Sequence, residues 1–296
     1  MRLWCVAFAL LMGIGCATSP RPTAHLLGEG VQVIGHRGAR GLAPENSMAA
    51  FQLAADLRVP FELDTRLCAT GELVVFHDET LDRLTGEEGR VLEQPWQRLS
   101  GLDVGAHFGP EFTGETMPLL VDVLQTFGDE AIINIEVKAE KGSDLKAMAE
   151  GVSAAVRSHD LQDRVFVSSF NPFFLEAMRE ADPTLIRGQL YATFEGADLK
   201  GYERFLLKNL AFNRRTQPDM LLLEGARATP RHVRKWSRRG YPMLAWTINE
   251  EEEVARLVAL GVDAIITDRP DLVLSWLGQP APAVLQEGPS AAPQIP

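Results

Sequence analysis

Short apolar, β-branched runs that alternate with helix-patterned segments constrain this chain more than any other feature. Val31–Gly35, Phe61–Asp64, Leu73–His77, Ala131–Val137, Arg164–Ser169, Leu185–Tyr191, Met220–Leu223, Met243–Thr247 and Ala264–Thr267 read as strands. Helical patterns fall at 143–158, 172–181, 229–239, 250–260 and 270–277. A further helix carries Met48, Phe51 and Ala55 on one face, after a predicted N-cap at Asn46. Thr229-Pro230 reads as a cap followed by proline at the first helical position. Asn249 with Glu252 reads as a capping box, and Gly261 as a helix stop. Strands that alternate with helices build a parallel sheet, closed or open. Nine strand candidates for an eight-stranded barrel leave one strand peripheral. The link from Asp64 to Leu73 is too short for a helical crossover, so the irregularity is expected there. Residues 86–118 are weakly periodic and read as an insertion between a barrel strand and the next helix.

The ends differ from this body, which spans 31–278. Residues 3–15 form an apolar run after Arg2, too short to span a bilayer comfortably, and the run ends at Gly15-Cys16. Residues 1–16 are therefore expected to be an export leader of the bacterial lipoprotein type, with Cys16 lipidated and the protein held in the periplasm or cell envelope. Residues 17–30 read as a tether, and the tail 279–296, with five prolines, as disordered. With Cys5 removed and Cys16 lipidated, Cys68 is left with no cysteine to pair with. The net charge of −11 weighs against sequence-independent nucleic-acid binding, which needs a basic surface. It leaves room for a small anionic ligand in a local cationic pocket.

Four strand ends carry chemistry. His36-Arg37-Gly38 closes the first strand, where a parallel barrel keeps its active face. Histidine there can move protons near neutral pH, and arginine offers a planar cation suited to phosphate. Alone, the triplet is a weak signal and reads better as an ordinary buried or surface histidine. Glu62-Leu63-Asp64 places two carboxylates on one face of a strand, which is either a solvated pair or a site for a hard divalent cation. His77 closes the third run and would complete an acid/base pair, while Asp78 beside it is left without a role because neighbouring strand residues diverge. Glu136 and Lys138, again two apart, form a structural ion pair or a third metal ligand beside a phosphate-binding cation. Together these are the parts that metal-assisted phosphoryl chemistry requires.

The runs HRGARGLAPENSMAAF (36–51), ELDTRLCATGELVVFHDETLDRLT (62–85) and NIEVK (134–138) resemble the glycerophosphodiester phosphodiesterase family. So do SSFN (168–171), WTIN (246–249) and GVDAIITDRPDL (261–272). The resemblance implies an α/β fold, a distorted (β/α)8 TIM barrel with a small insertion. It implies metal-dependent hydrolysis of glycerophosphodiesters to glycerol 3-phosphate and an alcohol. By matching position, His36 and His77 would be the acid/base pair, and Glu62, Asp64 and Glu136 would hold one divalent cation, Ca2+ or Mg2+. Arg37 and Lys138 would contact the phosphate, Phe170 and Trp246 would line the substrate mouth, and Glu45 would lie near the site. A phospholipase acting on lysophospholipids or sphingolipids is the alternative, with apolar residues of 202–212 around the mouth. A non-catalytic ligand-binding lipoprotein is the third reading.

Overall fold

The computed structural model describes residues 19–193 and 212–279. Among these residues there are nine strands: β1 Gln32–Gly35, β2 Phe61–Leu67, β3 Leu73–Val75, β4 Ile133–Val137, β5 Val165–Ser169, β6 Ile186–Tyr191, β7 Met220–Glu224, β8 Met243–Trp246 and β9 Ala264–Thr267. Eight of them form a closed parallel ring in the order β1-β2-β4-β5-β6-β7-β8-β9, which β1 closes by pairing with both β2 and β9. The ring is a TIM barrel. The ninth strand, β3, lies outside it and runs antiparallel to β2, with Thr65 opposite Val75 and Leu67 opposite Leu73. A hairpin needs only a short turn, which explains why no helix fits between Asp64 and Leu73.

Strand periodicity sorts the side chains into two layers. Outward residues such as Phe61, Leu63, Ile133, Ile135, Val165 and Val167 meet the helices in one continuous core. Within it Phe51 stacks on Phe61 at 4.8 Å, and Phe127 meets Phe61 edge-on at 5.8 Å. Inward residues fill the barrel, with Ile34, Phe166, Ile186, Met220, Leu222, Leu244 and Ile266 in one apolar cluster. Residues 76–119, between β3 and the helix Leu120–Phe127, carry short helices and a separate cluster that includes Leu81, Leu84, Val91 and Leu99.

Side-chain caps set the starts of four helices among the described residues, at Ser47, Asp144, Asn171 and Thr229. Thr229 accepts from the His232 amide ahead of Pro230, and Asn171 accepts from Phe173 and Phe174 ahead of Pro172. Gly261 ends its helix in the left-handed conformation. Two predicted caps are corrected. The helix Met48–Asp56 is capped by Ser47, whose hydroxyl accepts from the Ala50 amide, and not by Asn46. Asn249 is no capping box: its side-chain oxygen accepts from Thr267 and from the Asp268 amide, and Glu250 occupies the N-cap. In both places an asparagine that a local pattern assigns to its own helix is taken by another strand end.

The segment expected to be a tether is docked on the barrel. Leu26 and Leu27, on the short helix Ala24–Leu27, join the apolar cluster inside the barrel. Arg21 donates to Asp219 from Nη2 at 2.6 Å and to the carbonyls of Pro183, Thr184 and Leu185 ahead of β6. Both partners stand at the N-terminal ends of strands, so this segment closes the end of the barrel opposite the strand C-termini. Buried Asp219 also accepts from the Arg187 amide at 2.9 Å. Removing a buried, hydrogen-bonded charge strands its partners, so Asp219→Ala is expected to cost about 3 kcal/mol. Urea unfolding of the variant against wild type measures it.

Candidate active site

The first strand delivers His36 into a turn that its own sequence makes sharp. Arg37 and Gly38 both take left-handed backbone, at φ 51° and 80°. A Cβ on Gly38 would stand 2.6 Å from the Ala50 carbonyl carbon, so glycine is required by the helix packed behind it. The turn folds onto β2: the Arg37 amide donates to Glu62 Oε2 at 2.8 Å and the Gly38 amide to the Glu62 carbonyl at 3.0 Å. Asn46, also left-handed at φ 57°, brackets Asp64 by donating to its carboxylate at 2.8 Å and accepting from its amide at 3.1 Å.

Glu62, Asp64 and Glu136 come together as the strand parity requires. Asp64 and Glu136 are directly opposite across β2 and β4. One oxygen from each of the three carboxylates lies within 4.8 Å of the others, and all three residues are buried. Among the described residues two cations answer them. Lys138 Nζ sits against Glu136 and 2.9 Å from Asp64, and Arg37 Nε lies 3.2 Å from Asp64, although neither contact with Asp64 is aligned as a hydrogen bond. Glu62 Oε1 is buried with no hydrogen-bond partner at all. Burial, then repulsion from Asp64 and Glu136, pushes the Glu62 carboxyl well above its usual range. Burial also opposes ionisation of Asp64, but Lys138 and Arg37 outweigh it and hold that carboxyl well below its usual range. A buried, orphaned carboxylate oxygen beside two more carboxylates fits a hard divalent cation with oxygen ligands.

Both histidines are held the same way. His36 Nδ1 lies 2.7 Å from Asp268 Oδ1, and His77 Nδ1 lies 2.6 Å from Asp78 Oδ1. Each carboxylate fixes its ring and leaves Nε2 without a protein hydrogen bond. Burial lowers the His36 pKa to about 4 despite the opposing bond to Asp268, so the ring is neutral at pH 7. Asp78 therefore gains the role that strand geometry seemed to deny it: β3 ends at Val75, and beyond it neighbouring side chains can converge. His77 also arrives differently from His36, since β3 descends toward the site while β1 ascends to it.

Glu45 ties the two histidines into one network. Its carboxylate accepts from Arg37 at 2.7 Å and from Arg83 at 2.6 Å, and lies 3.9 Å from Arg40. Arg83 Nε donates to Asp78 at 2.5 Å, and Arg40 Nε is 3.3 Å from Asp268. Burial alone would raise the Glu45 pKa, but Arg83, Arg37 and Arg40 hold it at about 2. This carboxylate is a fixed charge and not a proton carrier. Phe170 and Trp246, inward at the ends of β5 and β8, meet edge-on at 5.5 Å, with Lys138 Nζ 5.9 Å from the Phe170 ring.

All the residues singled out in the sequence thus gather at one end of the barrel. Those missed are Asp268, Asp78, Arg40 and Arg83. Asp268 was legible, because Ala264, Ile266 and Asp268 share the inward parity that located Glu62 and Asp64. Arg83 carries no such signal, since it stands on the short helix Asp82–Thr85.

The raised Glu62 pKa has a measurable sign. In metal-free protein this group favours the fold below its ordinary value of 4.5 and loses that contribution as pH rises toward its folded value. Glu62→Gln removes the repulsion. Relative to this variant, metal-free wild type is expected to lose stability as pH rises from about 4.5 toward neutrality. Paired denaturant titrations across pH check it, and a difference that does not change with pH would refute the assignment.

The family model for the glycerophosphoryl diester phosphodiesterase family matches residues 36–272. A glycerophosphodiester phosphodiesterase of Caldanaerobacter subterraneus subsp. tengcongensis is 34% identical over 249 residues, covering 82% of this chain and 96% of the relative. One from Bacillus subtilis is 27% identical over 288 residues, covering 92% and 95%. Among solved structures, an Oleispira antarctica phosphodiesterase in complex with the product sn-glycerol-3-phosphate superposes with a TM-score of 0.72 at 29% identity, covering 84% of this chain and 97% of that one. With that match running from His36 to beyond Asp268, the chain belongs to the glycerophosphoryl diester phosphodiesterase family.

Proposed function

We propose that this protein hydrolyses glycerophosphodiesters to glycerol 3-phosphate and an alcohol, with His36 and His77 as the acid/base pair. The observation that carries this reading is the constellation itself: two carboxylate-backed histidines beside a buried carboxylate trio, with Arg37 and Lys138 among them. The Oleispira relative, which holds sn-glycerol-3-phosphate, supports the substrate class.

Glu62, Asp64 and Glu136 would hold one divalent cation, Ca2+ or Mg2+. When bound, it would neutralise phosphoryl oxygens and polarise the phosphorus toward attack. With all three carboxylates ionised, as a bound cation would hold them, Arg37 and Lys138 alone would leave an excess of negative charge, which the cation would offset for a phosphodiester monoanion. Arg37 and Lys138 supply the fixed positive charge that orients the phosphate. One histidine takes a proton at Nε2 from the nucleophile, which is water or the glycerol 2-hydroxyl; in the second case a cyclic phosphate forms as the alcohol leaves, and water then opens it to glycerol 3-phosphate. The other gives a proton from Nε2 to the leaving alcohol oxygen. Asp268 and Asp78 hold both rings at Nδ1 with Nε2 facing the reaction; the base starts neutral, with Nε2 free of its proton, and the acid starts as the imidazolium, protonated at both nitrogens. Phe170 and Trp246 would line the substrate mouth.

The phospholipase alternative gains nothing from the structure. Of the apolar residues in 202–212 expected around the mouth, all but Phe212 lie outside the described residues, and Phe212 packs on Phe173 of the helix Pro172–Ala181. A purely ligand-binding role is disfavoured by the retention of every catalytic candidate.

The leader reading remains part of the proposal. Residues 1–18 lie outside the described residues, and no helix among the described residues is long and apolar enough to cross a membrane. Export with lipidation at Cys16 rests on the apolar run that precedes it. Cys16→Ala is expected to abolish incorporation of labelled fatty acid into the protein, which metabolic labelling followed by gel analysis measures.

Alcohol release from glycerophosphocholine tests the activity. Turnover is expected with Ca2+ or Mg2+, to vanish with chelator, and to fall about 100- to 10,000-fold in His36→Ala and in His77→Ala. Turnover that survives chelation would remove the metal from the proposal. Absence of turnover on several glycerophosphodiesters with either ion would remove the substrate class.

A further inference from the structure

The protein is strongly acidic overall, yet one of its outer faces is not. Arg231, Arg234 and Lys235 of the helix Pro230–Ser237, with Arg238 and Arg239 just beyond it, are all exposed. They line an open groove of about 680 Å³. Among the described residues none of these cations has an ion pair, whereas Arg215, Arg256 and Arg269 each hold a carboxylate. Lys235 and Arg239 instead lie over the Trp236 ring, at 4.5 and 4.9 Å. The local field is uniformly positive: burial and then Arg239 and Arg231 lower the Lys235 pKa, and no carboxylate opposes them. Unpaired like charges held together repel one another, and an anionic partner would relieve that repulsion.

A second observation narrows that partner. Arg238, Arg239 and Gly240 precede β8, at the barrel end opposite His36 and Glu136. The first described residues pass this point, with Pro20 Cγ 3.7 Å from where a Cβ on Gly240 would be. The cationic face therefore borders the place where the chain continues toward its apolar leader.

We propose that this face docks on an anionic phospholipid bilayer, with the arginines on lipid phosphates and the barrel's catalytic end left open to water. The docking does not depend on the hydrolytic reading. It adds to that reading, because a mouth left open to water beside the bilayer meets deacylated, water-soluble diesters and not lipids within the membrane. Clustered basic residues beside an anionic leaflet each strengthen binding severalfold, and the effect is screened by salt.

Cosedimentation of the full chain with phosphatidylglycerol vesicles tests this, with phosphatidylcholine vesicles as the neutral control. Binding is expected to favour phosphatidylglycerol and to weaken when salt rises to about 0.5 M, where the Debye length shrinks to a few ångström. The triple variant R231Q/R234Q/R238Q is expected to lose at least about tenfold in that preference, at roughly fivefold per charge before screening. The triple lysine variant should retain it. None of these residues touches the candidate active site, so unchanged glycerophosphocholine turnover, or an unchanged circular dichroism melt, shows that the glutamine variant is folded. Equal binding to both vesicle types, or a glutamine variant that binds like wild type, would overturn the proposal. So would preference for double-stranded DNA over the anionic vesicles.

Discussion

Three carboxylates crowded into a buried barrel end, with only Arg37 and Lys138 to answer them, are the interaction on which the rest of this structure turns. Nothing in folding rewards such an arrangement. Glu62 is forced toward protonation by burial and by its two neighbours, and one of its oxygens finds no partner. Fold-stabilising residues surround the strain. Phe61, Leu63, Ile133 and Ile135, the outward neighbours of these carboxylates on β2 and β4, are fully buried against the helices. The strands are held in place by one face so that the other can carry charge that opposes folding.

The same logic extends outward through alternating charges. From His36 through Asp268, Arg40, Glu45, Arg83 and Asp78 to His77, each group is opposite in character to the next. Asp64 lies within electrostatic reach of both histidines. The two proposed proton carriers are therefore parts of one charged assembly, although 41 positions separate them in the sequence. Arg83 matters most to this unity, since it grips Asp78 and Glu45 at once from the region between β3 and the helix Leu120–Phe127. That region is tied to the barrel in turn by Arg90 and Arg66, which share Glu140.

Much of this was legible because a closed parallel barrel obeys simple parity. Glu62 and Asp64, or Glu136 and Lys138, stand two apart, and a strand with one face on helices must turn such residues inward. The nine strands were read from their apolar runs, and the surplus strand followed from a link too short for a helix. What escaped reading was whatever depended on a partner distant in sequence. Asn46 and Asn249 look like helix caps in their local context, but tertiary structure enlists each for another strand end. Residues 17–30 look like a tether by composition, yet Arg21 finds Asp219 almost two hundred residues away. Asp78 was set aside on a rule for strands that does not hold past the strand's last residue.

The antiparallel strand outside the ring separates two things that most barrels couple. Seven of the eight ring strands could keep their pairing if the β2–β3 hairpin changed its register, because β3 bonds only to β2 within the sheet. A slip of one residue there would turn the histidine side of β3 outward while leaving closure intact. His36, in contrast, is bound to a strand whose register is set by neighbours on both sides. One half of the proposed proton-transfer pair is thus part of the frame, and the other is mounted on it from outside, clamped by the bridge from Val74 to Leu119 and by the Arg66 guanidinium on the His77 carbonyl.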